Sequence, residues 1–336
     1  MIIPSLNMQI TILKPGIFST VQDLGRQGYL GQGVPLSGAA DQLSAVIANC
    51  ALGNDANAAT IEFTYANVLF KADTDLLICY CGEGAYLEVA MQIVPAERPV
   101  FLPAGTQVRL KTNPSGVRTS LAIAGGWDVP EVMGSSSTYV TAGFGGYAGR
   151  TLRTGDVLVS KILMPDLAQK LCQELMGDEL KFTKWAISQR LLRSSDRKSI
   201  RIVPGNEFSW FDSDSVLSFL SSEYTITRDS NRMGCHLHGP TMKRNSNTEL
   251  LSTAVLPGTV QVSGDGSLIL LLADCQTTGG YPRIAQVAAV DLPKCAQLKP
   301  GDQINFIPIS KEEAEISYID QRNELLRIKS SIANRY

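Results

Sequence analysis

Short strand-like runs separated by turn residues constrain this chain more than any other feature. Gln9–Leu13, Thr60–Thr64, Leu76–Cys81, Tyr86–Val89, Gln107–Leu110 and Ser120–Ala124 are rich in Val, Ile, Leu, Thr and Tyr and are bounded by Gly, Pro, Asn or Asp. The pattern returns at Asp156–Ser160, Ser199–Val203, Thr259–Val262, Ser267–Leu272 and Gln303–Ile307. Many short strands with Gly/Pro turns fold as barrels or sandwiches, whereas a doubly wound sheet needs a helix after each strand. The expectation is a mainly β protein with a few helices.

Five segments have helical spacing. From Asp41 to Leu52, apolar Leu43, Val46, Ile47 and Cys50 recur at i, i+3, i+4 and i+7, with Asp41 placed to cap the start and Gly53 the end. Asp166–Met176, Lys184–Leu192 and Asp212–Ser221 are further candidates, and a charged tail from Lys311 to Ile332 is helical in pattern.

Two signals repeat in the same order. Leu152-Arg-Thr-Gly-Asp156 and Leu298-Lys-Pro-Gly-Asp302 each precede a strand-like run, and Ala124-Gly-Gly-Trp127 and Thr278-Gly-Gly-Tyr281 lie upstream of them. The repetition suggests two similar β units, although Gly-Asp turns are common enough to recur by chance. A chain of 336 residues suits two domains. The expected domains are 8–160 and 199–310, joined by a helical connection over 161–198 that ends in Arg193-Ser-Ser-Asp-Arg-Lys198 and followed by a helical tail over 311–336.

Charge and cysteine usage narrow the function classes. Thirty basic and 32 acidic residues leave a net charge of −2, so no nucleic-acid or membrane partner is expected. Seven cysteines without a Cys-x-x-Cys argue against a disulfide framework or zinc knuckle and for buried thiols. The opening MIIPSLNMQI has no basic region followed by an apolar run, and no apolar stretch is long enough to span a bilayer. A cytoplasmic location is expected.

Five clusters could carry chemistry. Thr20-Val-Gln-Asp-Leu-Gly-Arg26 puts Gln22, Asp23 and Arg26 within five residues. An Arg fork can hold a carboxylate or phosphate, and the cluster reads equally as an Asp23–Arg26 pair that fixes a turn. Gly33-Val-Pro-Leu-Ser-Gly38, with Ser37, leads into the helix at Asp41, where free N–H groups favour anions or simply accept a cap. Ala142-Gly-Phe-Gly-Gly-Tyr-Ala-Gly-Arg150 offers Gly143, Gly145 and Gly146 as a phosphate cradle or as a flexible loop beside a site. It lacks the Lys-Ser/Thr of a Walker A motif.

The other two clusters lie in the second half. Arg232-Met-Gly-Cys-His-Leu-His238 holds both histidines, His236 and His238, two apart and so on one face of a strand. No third ligand accompanies them, so no metal is expected. Asp274-Cys-Gln-Thr-Thr-Gly-Gly-Tyr281 sets Gln276, Thr277, Thr278 and Tyr281 at a strand exit, as hydrogen-bonding equipment for a small amide or carboxylate or as a bonded turn.

Taken together, Val21-Gln-Asp-Leu-Gly-Arg26, Gly33-Val-Pro-Leu-Ser-Gly-Ala-Ala-Asp41, Ala48-Asn49 followed by Gly53-Asn54, Glu62, Gly125-Gly126, Gly134-Ser-Ser-Ser-Thr138, Arg232-Met-Gly234 and Gln276-Thr-Thr-Gly-Gly-Tyr-Pro282 resemble the allophanate hydrolase subunit 2 family, in order from about residue 10 to residue 308. The resemblance implies two cyclophilin-like β-barrels, a subunit 1-family partner and an active site in or near their joint surface. It also implies membership of an ATP-dependent 5-oxoprolinase complex that opens 5-oxoproline to glutamate together with a third subunit. ATP with Mg, bound with the partner, would phosphorylate the amide oxygen. Arg26 and Arg232 would hold carboxylate or phosphate, and Gln276 with Thr277 would orient the lactam. Asp23, Asp41, Glu62 and Asp274 are the candidates for general base.

The chain departs from the family pattern at two places. Cys235 and His236 stand where the family usually has an aromatic and an arginine, and Ser263-Gly264 replaces prolines. A neutral histidine in place of arginine weakens anion binding near neutral pH. Two other readings stay open. One is biotin-dependent carboxyl transfer to urea or another amide, with the biotin on another protein because this chain has no Ala-Met-Lys-Met. The other is a non-catalytic regulator that binds a kinase inhibitor.

Overall fold

A computed structural model describes residues 7–192, 196–245 and 248–336, so part of the Arg193–Lys198 stretch lies outside the described residues. The chain divides into two compact units. The first comprises 1–26, 37–188 and 325–336, and the second 27–36 and 189–324.

The first unit is built on two six-stranded sheets. In one, Phe18–Gln22, Thr60–Thr64, Arg118–Ile123, Leu76–Gly82, Val100–Leu102 and Lys181–Phe182 lie side by side. Strand Leu76–Gly82 is buried along almost its whole length, which suits the apolar run Leu-Leu-Ile-Cys-Tyr-Cys. Helix Gln42–Ala51 covers this sheet and packs on Leu76–Gly82 and Arg118–Ile123. Asp41 caps it through Ser44 N at 3.0 Å, and Gly53 follows its end with φ +74°. The other sheet runs Val157–Val159, Gln9–Pro15, Val68–Ala72, Gln107–Thr112, Ala85–Val89, Gln92–Val94.

In the second unit, seven strands close into a barrel: Ser199–Pro204, Arg283–Val287, Thr259–Val262, Leu268–Leu271, Gly234–His238, Tyr224–Ile226 and Gln303–Pro308. The last strand returns parallel to the first, with Ile200 opposite Phe306, which leaves no open edge. Inward-facing Ile200, Ile202, Leu270, Ile284, Ile304 and Phe306 fill the interior. Helix Ser213–Ser221 adds Phe219, whose ring centroid lies 4.8 Å from that of Phe306.

The Gly-Asp repeat is real at the level of hydrogen bonds. Gly155 and Gly301 take φ of +88° and +91°. Asp156 accepts from Arg153 N at 2.7 Å, and Asp302 from Lys299 N at 3.0 Å. Ile12 N donates to Asp156 O, and Ile226 N to Asp302 O. The Gly-Gly-aromatic repeat is not structural. Gly125 and Gly126 form a left-handed turn, whereas Gly279 belongs to a short strand, Thr278–Gly279, paired with Thr253–Ala254.

Helix Lys184–Leu192 does not form, and only a 3-10 turn, Gln189–Leu191, is present. One local bond and two tertiary bonds hold the segment outside a helix. Thr183 Oγ1 donates to Trp185 O at 2.8 Å and Ile187 N to Glu97 O at 2.8 Å, while Trp185 Nε1 donates to Tyr336 Oη at 3.0 Å. All seven cysteines are free and buried. Among the described residues, no helix is long and apolar enough to cross a membrane.

Candidate functional site

In the first unit, polar residues line up across one sheet. Thr20 faces Glu62, Glu62 faces Ser120, and Ser120 faces Cys81. All four are essentially inaccessible. Glu62 accepts from Ala40 N at 2.7 Å and pairs with Arg118 at 3.4 Å. Asp41 is engaged by Ser44, whose hydroxyl donates to its Oδ2 at 2.7 Å.

Asp23 is the hub of the neighbouring loop. It accepts from Gly25 N at 2.8 Å, Ser135 Oγ at 2.7 Å, Ser136 N at 2.6 Å and Ser137 Oγ at 2.5 Å. The serine run 135–137 therefore folds around one carboxylate. Arg26 is fully buried: Nε donates to Val132 O at 3.1 Å, Nη2 donates to Ser137 O, and its guanidinium lies 4.7 Å from the centroid of the Phe144 ring. Asp23 and Arg26 thus serve different partners and do not form the turn-fixing pair.

The glycine loop packs against the protein itself. A Cβ on Gly145 would strike Ser137 O and Arg26 Nη2, and one on Gly146 would strike Thr138 Oγ1. The close approach these glycines permit, with φ of +72° and +53°, is to the chain's own backbone and side chains. Gly143 takes φ +70° in open space.

Ser37 Oγ and Gln22 Oε1 are buried without a hydrogen-bond partner among the described residues. Ser37 also has φ +54°, unusual for a side chain with a Cβ. The Nε2 group of Gln22 donates to Thr20 Oγ1 at 2.9 Å and Thr138 O at 3.1 Å. Strained backbone and an unpaired buried hydroxyl in one residue are features that cluster at functional sites.

In the second unit, Arg232, just before strand Gly234–His238, and Asp274, just after strand Leu268–Leu271, form a buried two-point ion pair. Beyond it, Gln276, Thr278 and Tyr281 are exposed and Thr277 half-buried. Gln276 Nε2 meets Gln261 Oε1 at 3.4 Å, and Gln261 Nε2 donates to Tyr281 O at 3.2 Å. Glu207 and Arg283 brace the same segment. The guanidinium donates to Glu207 at 2.7 Å from both Nε and Nη2 and reaches Ala254 O at 3.1 Å. Hydrogen bonding from Arg283 holds the Glu207 carboxyl below its ordinary range. His236 and His238 share the exposed face of strand Gly234–His238. Among the described residues, no group of three metal-ligating side chains occurs.

Gln22, Asp23, Arg26, Ser37, Asp41 and the glycine loop belong to the first unit, and Arg232, His236, Asp274 and Gln276–Tyr281 to the second. Arg118, Glu207, Gln261 and Arg283 were not singled out from the sequence. Arg118 and Glu207 partner residues 56 and 76 positions away, with no local motif. Gln261 lies between the core residues Val260 and Val262, so its side chain is on the opposite face of the strand, where it is marked only by being a buried amide.

A two-unit, mainly β chain with buried polar clusters on its strands is the class of protein that this fold and site define. Residues 32–308 match the model of the carboxyltransferase domain, subdomains A and B, and the chain belongs to that family. It is 38% identical to the C subunit of 5-oxoprolinase from Escherichia coli K12 over 93% of this chain and 95% of that protein. Identity to the C subunit of 5-oxoprolinase from Haemophilus influenzae is 32%, over 94% and 96% of the two chains. The crystal structure of Kluyveromyces lactis urea amidolyase superposes with a TM-score of 0.85 at 28% identity, covering 95% of this chain and 20% of that one.

Proposed function

We propose that this chain is part of an ATP-dependent 5-oxoprolinase, which opens the lactam of 5-oxoproline to glutamate. The observation that carries this reading is near end-to-end similarity to two proteins named as the C subunit of 5-oxoprolinase. Its partners are a subunit 1-family protein and a third subunit, and it works in the cytoplasm.

The geometry supports a division of labour within the chain. Gln276 and Thr278 are exposed, and no hydrogen bond occupies the Gln276 amide oxygen or the Thr278 hydroxyl among the described residues. They can accept the lactam N–H and donate to the lactam carbonyl, with Thr277 and Tyr281 beside them. The Arg232–Asp274 and Glu207–Arg283 pairs hold this segment in place from beneath. In the first unit, Ser37 and Gln22 present a donor and an acceptor that a rearranged loop would offer to substrate. Close contacts to the protein itself fill the space at Gly145 and Gly146, whereas Gly143 faces open space. Mg-ATP would be held by the assembled complex.

Complementation tests the proposal. Expressing this chain in bacteria that lack their own C-type subunit restores consumption of 5-oxoproline. Expression without restored consumption contradicts it. The second reading, biotin-dependent carboxyl transfer, draws on the family match and on the likeness to urea amidolyase. It requires carboxyl transfer from a separately supplied biotin carrier to urea, measured with labelled bicarbonate.

A further inference from the structure

Away from both polar clusters, the second sheet of the first unit carries a cavity of about 510 Å³ bordered by Leu69, Glu88, Val89, Met91, Gln107 and Arg109. Register builds it. Leu69 lies opposite Arg109, Arg109 opposite Glu88, and Glu88 opposite Ile93, so one row of side chains crosses four strands on one face. Hairpin tip Ala90-Met91 joins the last two strands, and both residues have positive φ, +47° and +67°. Such turns usually use Asn or Gly. Here they carry Met91, 89% exposed, at the cavity's border.

Within this row Arg109 and Glu88 balance, but Lys111, two residues along on the same strand face, adds a second cation. Glu88 is buried and forms its ion pair with Lys111, not with the arginine opposite it. The Arg109 guanidinium has no ionic or hydrogen-bonded partner among the described residues, and the residue borders the cavity. Two cations and one carboxylate leave a net charge of +1 beside the apolar surfaces of Leu69, Val89 and Met91. A volume of this size is in the range that takes a small molecule.

We propose that this cavity binds a small organic monocarboxylate, with the carboxylate on the Arg109 guanidinium and the carbon body against Leu69, Val89 and Met91. An Arg fork meets a carboxylate through two parallel bonds. The buried Glu88 keeps Lys111 occupied and repels a second carboxylate, which selects against dianions. The site is independent of the lactam chemistry proposed above.

Backbone amide shifts of the full-length chain, titrated with sodium butyrate, sodium 5-oxoproline, disodium succinate and uncharged 2-pyrrolidinone, test it. The two monocarboxylates give saturable shifts at residues 88–91 and 106–109. Succinate binds more weakly, and 2-pyrrolidinone gives no saturable shift. Arg109→Gln weakens monocarboxylate binding about tenfold or more, the loss of one charge-assisted contact, and Arg109→Lys recovers part of it. Far-UV circular dichroism unchanged in both variants shows that the fold is intact. Absence of saturable shifts in the wild-type chain overturns the proposal, as does equal affinity in Arg109→Gln or binding of 2-pyrrolidinone at the same residues.

Discussion

Arg232 grips Asp274 through Nε to Oδ2 at 2.6 Å and Nη2 to Oδ1 at 3.1 Å, with both side chains less than one-tenth exposed. Burying two charges is costly, and what remains after one is removed is costlier. Arg232→Ala leaves the Asp274 carboxylate buried without its main partner and lowers stability by about 3–5 kcal/mol. Replacing both residues, as Arg232→Met with Asp274→Leu, recovers most of that loss. Urea denaturation of the three variants checks the order.

Asp23 accepts from four donors around the serine loop, and Asp23→Asn turns one of its acceptors into a donor that faces donors. The expected cost is about 1–3 kcal/mol for each group left unsatisfied. Ser137→Ala, which removes one hydroxyl donor and the acceptor for Asp23 N, costs less. Thermal unfolding ranks the two variants, and equal melting temperatures in both variants and the wild-type chain contradict the hub.

Gln276 is at the surface, so Gln276→Ala changes stability by no more than about 0.5 kcal/mol. In the assembled enzyme it lowers kcat/KM for 5-oxoproline by about tenfold or more, the loss of one lactam hydrogen bond together with the orientation it supplies. Steady-state kinetics with the purified complex decides. Unchanged kcat/KM removes Gln276 from the site.

Glu207 gives the chain an acid-side stability dependence. Arg283 holds the folded carboxyl below its ordinary value of 4.5. The unfolded state then binds protons first as pH falls. Stability from this pair is fully present above pH 4.5 and is lost as pH drops through the lowered folded value. Unfolding free energy measured at several pH values below 6 falls less steeply in Glu207→Gln than in the wild-type chain.

Gly146→Ala places a Cβ against Thr138 Oγ1 at a φ of +53°. It destabilises the first unit by more than about 1 kcal/mol. Gly143→Ala, with φ +70° but nothing within 4 Å, costs less. Chemical denaturation separates packing from backbone strain.

Local features were the legible ones. The period of Leu43, Val46, Ile47 and Cys50 set the first helix, Asp41 capped it as expected, and most strand-like runs became strands within a residue or two. The Gly-Asp repeat announced two matched turns, since Gly155 and Gly301 need left-handed backbone. Lys184–Leu192 misled because its apolar spacing is overridden by bonds from Ile187 to Glu97 and from Trp185 to Tyr336, neither of which is local. Strand Gly234–His238 was seen only as a histidine pair, since its Gly and His are poor strand signals. At the site, the sequence located Asp23 and Arg26 but suggested a mutual pair. Their true partners, Ser135–Ser137 and Val132, come from more than a hundred residues away. Glu207 and Arg283 were illegible for the same reason: only closure of the barrel brings them together.

The central claim is tested most directly by glutamate release from 5-oxoproline in a reconstituted mixture of this chain, a subunit 1-family partner, the third subunit and Mg-ATP, with each component omitted in turn. The account predicts turnover only when this chain and both partners are present. Full turnover without this chain, or none from a stable complete complex, contradicts it.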